Sequence, residues 1–149
     1  MVKKLFIVVG LAIGFFNISY AATDMNSPVG RWITVSDKTH DRSGEVELTN
    51  RNGKLSGKIV KIYPGSGRDP KELCVKCEGN FKNKPVLGLT FLWGLEPQRD
   101  GTWANGKILD PHDGHVYTAT LALTDNGKQI KLRGYWGIFW RTQTWIRAE

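Results

Sequence analysis

The feature that most constrains this chain is two-residue alternation of apolar and polar side chains, broken at short intervals by tight-turn residues. Residues 103–135 show it best. Gly106-Lys107-Ile108-Leu109 enters Asp110-Pro111-His112-Asp113-Gly114, and residues 115–123 leave it. Pro111 presets φ for the first central residue of a turn, and Gly114 suits the left-handed position that closes a hairpin. Asp125-Asn126-Gly127 makes a second turn, after which Ile130, Leu132 and Trp136 alternate with Gln129, Lys131 and Arg133. Such a period is the mark of half-buried antiparallel strands.

The same reading predicts strands at residues 29–35, 45–49, 54–63, 86–93, 102–109, 115–123, 128–136 and 141–147. Asn52-Gly53 joins the second and third as a hairpin. In the third, Leu55 and Ile59 fall on one parity but Val60 and Ile62 on the other, which places a bulge or bend near Ile59. Leu87, Leu89, Phe91 and Trp93 share one face of the fourth. Residues 64–84 form the one long irregular stretch. There Asp69 as N-cap, Pro70, Glu72 and a terminating Gly79 predict a short helix over 70–77, outside the sheet. The expected fold class is all-β: eight antiparallel strands in up-and-down order, with one short helix in the connection between strands three and four. Full closure removes the exposed edges and leaves an interior for side chains or one small ligand. An open two-layer sandwich is the alternative.

At 149 residues the chain has room for one core. Its first 21 residues stand apart. Lys3-Lys4 precedes an uncharged run at 5–16, and Ser19-Tyr20-Ala21 supplies small residues before a cleavage point. This is the pattern of a secretory signal peptide, cut after Ala21, and the apolar run is shorter than the roughly 20 residues of a membrane span. The expectation is a periplasmic protein with one barrel domain over 22–149. Without Lys3 and Lys4 the 21 Lys and Arg fall to 19 against 14 Asp and Glu, a net charge of +5. The basic residues are dispersed, which suits an envelope full of anionic polymers and disfavours nucleic acid.

Gly30-Arg31-Trp32 on the first strand, with Arg141 and Arg147 bracketing the last, resembles the calycin arrangement of lipocalins, fatty-acid-binding proteins and avidins. That resemblance implies an arginine near the chain end stacked on the strand-one tryptophan, closing the barrel base; Trp32 and Trp145 are both assigned to that base rather than to ligand contact. A guanidinium over an indole face is worth about 0.5–1 kcal/mol, more when desolvated. Residues 27–32, 53–59, Asp69-Pro70 with Cys74-Val75-Lys76-Cys77, then 83–88, 106–111 and 141–145 occur in the order of a second pattern. It resembles the small exported bacterial proteins grouped as domain of unknown function twenty-one forty-seven. Where that pattern has glycine before Arg-Thr-Gln-Thr-Trp, this chain has Trp140. The resemblance implies a calycin-like barrel in the envelope and carries over no activity, substrate or catalytic residue.

Several side-chain groups are candidates for chemistry. Cys74 and Cys77, the two cysteines present, are expected to form a disulfide in an oxidising compartment. Closing so small a loop stabilises by about 2 kcal/mol or less. A thiol–disulfide or metal role for the pair stays open, although zinc wants four ligands. Asp110, His112, Asp113 and His115 crowd one hairpin tip and read as turn residues rather than a metal site. Trp93, Tyr117 and Trp136 fall on apolar strand faces, and with Arg133 and Gln143 they are the candidates for lining a cavity. Ile138, Phe139 and Trp140 sit in the last turn, where exposure would mark a membrane or partner contact. No nucleophile–base set, zinc-protease motif or phosphate loop is legible, and no catalytic residue, metal or cofactor is assigned. The function expected is binding of a small apolar or amphipathic ligand. A packed barrel serving as an envelope interaction module is the alternative, as is the thiol or metal role.

Overall fold

The computed structural model describes residues 22–149; the signal peptide read at 1–21 lies outside them. Eight strands follow in order: β1 (Gly30–Val35), β2 (Arg42–Arg51), β3 (Lys54–Ile62), β4 (Thr90–Pro97), β5 (Trp103–Leu109), β6 (Val116–Thr124), β7 (Gln129–Trp136) and β8 (Phe139–Arg147). Each pairs with the next, and β8 returns to β1, so the sheet is a closed barrel and not a sandwich. The closing seam sets Trp32 opposite Arg147, Ile33 opposite Ile146 and Thr34 opposite Trp145.

Alternation along the strands fills the interior. Trp32, Leu48, Leu55, Leu92, Leu121, Ile130 and Trp145 are buried almost completely. Each such side chain stabilises the fold by about 1.5–3 kcal/mol. Near Ile59 the register does slip: Val46 faces Ile59 while Glu45 faces Lys61, leaving Val60 as the extra residue of a bulge.

Strand β4 departs from its sequence reading, running Thr90–Pro97 instead of 86–93. Gly57 faces Leu92 but Lys58 faces Thr90, so Phe91 is an extra residue, and a second shift follows before Leu95. Gly94, at φ 75°, accommodates that second shift. Each bulge reverses the phase of the strand. Leu92 and Leu95 therefore point inward, and Trp93, directly across from Lys107, faces out.

The helix expected at 70–77 is absent. Asp69 does cap a turn, accepting from the Lys71 amide on its Oδ1 and from the Glu72 amide on its carbonyl. The chain then folds back: Leu73 bridges Pro85, the Cys74 amide donates to the Lys84 carbonyl, and the Val86 amide to that of Glu72. These bonds take the groups a helix would have used. A single 3-10 turn, Gly79–Phe81, is the helical element of this connection. Cys74 and Cys77 are joined as a disulfide and are buried.

Candidate functional site

The two ends of the barrel differ. At the end where β1 begins, the Arg147 guanidinium lies 4.2 Å from the centroid of the Trp32 ring. Its Nε donates to the Gly127 carbonyl at 2.8 Å and its Nη2 to the Ser27 carbonyl at 2.9 Å. The Trp32 indole donates to the Pro28 carbonyl at 2.8 Å. A Cβ on Gly127 would stand 1.9 Å from the Met25 carbonyl oxygen, so the N-terminal segment presses directly on the β6–β7 turn. This end is sealed.

The opposite end is open. A cavity of two adjoining lobes, about 250 and 240 Å³, enters the barrel there, with Ile108, Asp110, Arg141 and Gln143 shared between the lobes. The first lobe descends past Val46 and Ile59 to Phe91 and Trp145, whose rings lie 5.9 Å apart. Ser66 lines it, and its buried hydroxyl has no hydrogen-bond partner among the described residues. The second lobe lies between Tyr117, Leu132 and Gly134 and the aromatic residues Trp136, Phe139 and Trp140 of the β7–β8 hairpin.

Of the five residues proposed from sequence to line a cavity, Tyr117, Trp136 and Gln143 do so. Trp93 does not: the β4 bulges turn it outward, where it stacks on Phe81 at 5.5 Å. Arg133 also lies outside, opposite Thr142 on the outer face, donating to its hydroxyl at 2.9 Å. Arg141 is far from Trp32. It sits at the open end and grips Asp37 of the β1–β2 loop through both Nε, at 2.6 Å, and Nη2. Asp37, Asp110, Ile108 and Phe139 were not proposed for the cavity. For Phe139 and Arg141 a signal existed, since residues 139, 141, 143 and 145 share one parity of β8. For Asp37 none did, because its place depends on a loop.

The polar groups are mutually engaged. The Arg141 guanidinium, hydrogen-bonded to Asp37, holds that carboxyl below its usual range, and Asp37 in turn raises the arginine. Tyr117 donates its hydroxyl to Asp113. That bond, then burial and the Asp113 charge, push the phenol up to about 12. Burial pushes the Asp113 carboxyl upward, but hydrogen bonds from Tyr117 and the His115 amide outweigh it, and the group ends below its ordinary value. In the adjacent turn Asp110 caps the His112 amide at 2.9 Å, and His112 Nε2 accepts from Arg68 at 3.0 Å. Among the described residues no three His, Cys, Asp or Glu side chains group to hold a metal ion.

The disulfide supports this rim from outside. Cys74 Sγ is 3.7 Å from the Pro111 carbonyl oxygen. A Cβ on Gly114 would meet the Lys76 carbonyl oxygen at 2.0 Å. With both cysteines buried and cross-linked, the pair braces the turn that carries Asp110 and Asp113.

A family model described as "Uncharacterized protein conserved in bacteria (DUF2147)" matches residues 30–147. No curated protein matches the chain. Among solved structures, protein HP1028 from the human pathogen Helicobacter pylori, described as belonging to the lipocalin family, aligns with a TM-score of 0.70 at 22% identity. The alignment covers 83% of this chain and 84% of that one. At that identity the likeness is one of fold.

Proposed function

Because the chain belongs to the bacterial family DUF2147 and is a lipocalin-like barrel, we propose that it is an exported periplasmic protein that binds a small apolar or amphipathic ligand in the mouth cavity. The observation that carries this reading is the asymmetry of the barrel. One end is sealed by Trp32, Arg147 and the N-terminal segment, while the other holds two adjoining lobes of about 250 and 240 Å³. Together they fall within the size range of small-molecule sites, about 300–1,000 Å³; the second lobe has mainly apolar walls, and the first is lined as much by polar groups, among them Glu45, Lys61 and Arg68. Leu132, Ile108 and the aromatic rim would cover the apolar body of a ligand, and Gln143, Tyr117 and the unpartnered Ser66 hydroxyl would orient its polar end. A fold alone does not confer a function, so the support is the cavity.

Gly134→Leu tests it. A Cβ at this position meets only Ile108 and Tyr117 side-chain atoms at 3.6 and 3.7 Å, so the larger residue fills the second lobe without forcing the backbone. Titration with the apolar fluorophore anilinonaphthalene sulfonate should show binding to the wild type and on the order of tenfold weaker binding to the variant. That corresponds to about 1.4 kcal/mol. Equal affinities, with unchanged circular dichroism, would place the probe elsewhere and sink the cavity reading.

A further inference from the structure

The β7–β8 hairpin ends in the most exposed large apolar side chains of the described residues: Trp136 is 72% exposed, Ile138 83%, Phe139 67% and Trp140 63%. Their arrangement matters more than their number. Trp136 stands opposite Phe139, on the face that continues the inward row Ile130 and Leu132, while Trp140 stands opposite Tyr135 on the other face. Ile138 occupies the two-residue turn between the strands. The tip is thus apolar on both faces. Folding down as a plug over the mouth would cover one face and leave the other in water, and a flat protein partner would do the same. Immersion in an apolar medium covers both.

Charge narrows the medium. Between Asp125 and Glu149 the chain has no acidic residue, but it has Lys128, Lys131, Arg133, Arg141 and Arg147. Arg147 is committed to the sealed end and Arg141 to Asp37. Lys131 and Arg133 are exposed on the hairpin itself, and the Arg133 guanidinium lies 5.8 Å from the Trp140 ring centroid. Tryptophans beside an exposed arginine, on an apolar tip, match the boundary between headgroups and acyl chains.

We propose that the β7–β8 hairpin inserts into the surface of an anionic lipid bilayer, with Trp136, Ile138, Phe139 and Trp140 at the acyl boundary and Arg133 on headgroup phosphates. The second lobe of the cavity shares Trp136, Phe139 and Trp140 with this tip, so the mouth would open at the membrane. The inference rests on the hairpin and not on a ligand in the cavity.

Co-sedimentation with phosphatidylglycerol–phosphatidylcholine vesicles tests it, and Gly134→Leu, which fills the second lobe and leaves the tip intact, should pellet like the wild type, so that failure of the cavity reading and failure of this one are told apart. The wild-type protein should pellet with the anionic vesicles, less with pure phosphatidylcholine, and less at high salt. Brominated acyl chains should quench its tryptophan fluorescence. The I138D/F139D variant should lose on the order of tenfold in partitioning, and Arg133→Gln about fivefold. Both should keep the wild-type circular dichroism, since the tip lies outside the core. Failure of the wild type to pellet with anionic vesicles would overturn the proposal, as would undiminished binding by the folded I138D/F139D variant. Self-association in the absence of lipid that is abolished by I138D/F139D would assign the tip to a second copy and overturn it too.

Discussion

Trp32 and Arg147 join the first strand of the barrel to the last, and their contribution is separable from that of the other arginine on β8. Trp32→Ala removes a fully buried indole and its bond to Pro28. The expected cost is about 3–5 kcal/mol, a large share of a marginal domain's stability. Arg147→Ala should cost about 1–2 kcal/mol through lost stacking and lost packing of its stem. In a double-mutant cycle by denaturant unfolding, Arg147 should couple to Trp32 and Arg141 should not; the reverse would contradict the assignment. Sequence left the two arginines equivalent, because both have the same parity on one strand. Six residues of strand separate them by about 20 Å, and only the register of β8 on β1 decides which one meets the tryptophan. At the other end, Asp113 governs Tyr117. Its folded-state value of about 12 exceeds the ordinary 10.0, so this bond's contribution is complete below pH 10 and is lost as pH rises through about 12. Asp113→Asn should bring the Tyr117 ionisation down toward 10.0 in an ultraviolet tyrosinate titration. An unchanged titration would show that the Asp113 carboxylate is not its cause.

Among the elements, the long connection between β3 and β4 is the one whose role depends on tertiary contact. Its Cys74–Lys76 stretch is pressed against the β5–β6 turn at Gly114, whose φ of 78° suits glycine. Gly114→Ala would add both left-handed strain and a backbone clash, so a loss above about 1 kcal/mol is expected. Hydrogen exchange should show the Cys74 and Cys77 amides losing protection while the β7–β8 ladder keeps it. Uniform loss across both would mean that the brace is no separate unit. Legibility varied by element for related reasons. Strands β6 and β7 were readable because tight turns bound them and their alternation is unbroken, as in Ile130 and Leu132, whereas β5 was readable in spite of a register shift between Trp103 and Gly106. Strand β4 was misplaced because bulges at Phe91 and Gly94 reversed its phase twice. The helix at 70–77 failed because its capping residues are local signals, whereas the bonds to Lys84 and Pro85 are not. The cavity was half legible for the same reason: Tyr117, Trp136 and Gln143 follow from strand parity, while Trp93 inherited the error in β4 and Asp37 lies on a loop.

For the whole molecule, closure at one end and an opening at the other define what the barrel is suited to hold. The lower interior is packed with Trp32, Leu48, Leu55, Leu121 and Ile130, so any guest is confined to the mouth, between Trp145 at the floor and the β7–β8 hairpin at the rim. The two lobes of about 250 and 240 Å³ set an upper size. On the ligand-binding proposal, a guest of that size is a compact amphipathic molecule. Native mass spectrometry of the protein isolated from its native cells without detergent measures this directly. A defined additional mass of a small molecule, released on unfolding and reduced in Gly134→Leu, is the result expected. The bare protein mass alone, from material gentle enough to preserve non-covalent complexes, would contradict ligand binding as the work of this barrel.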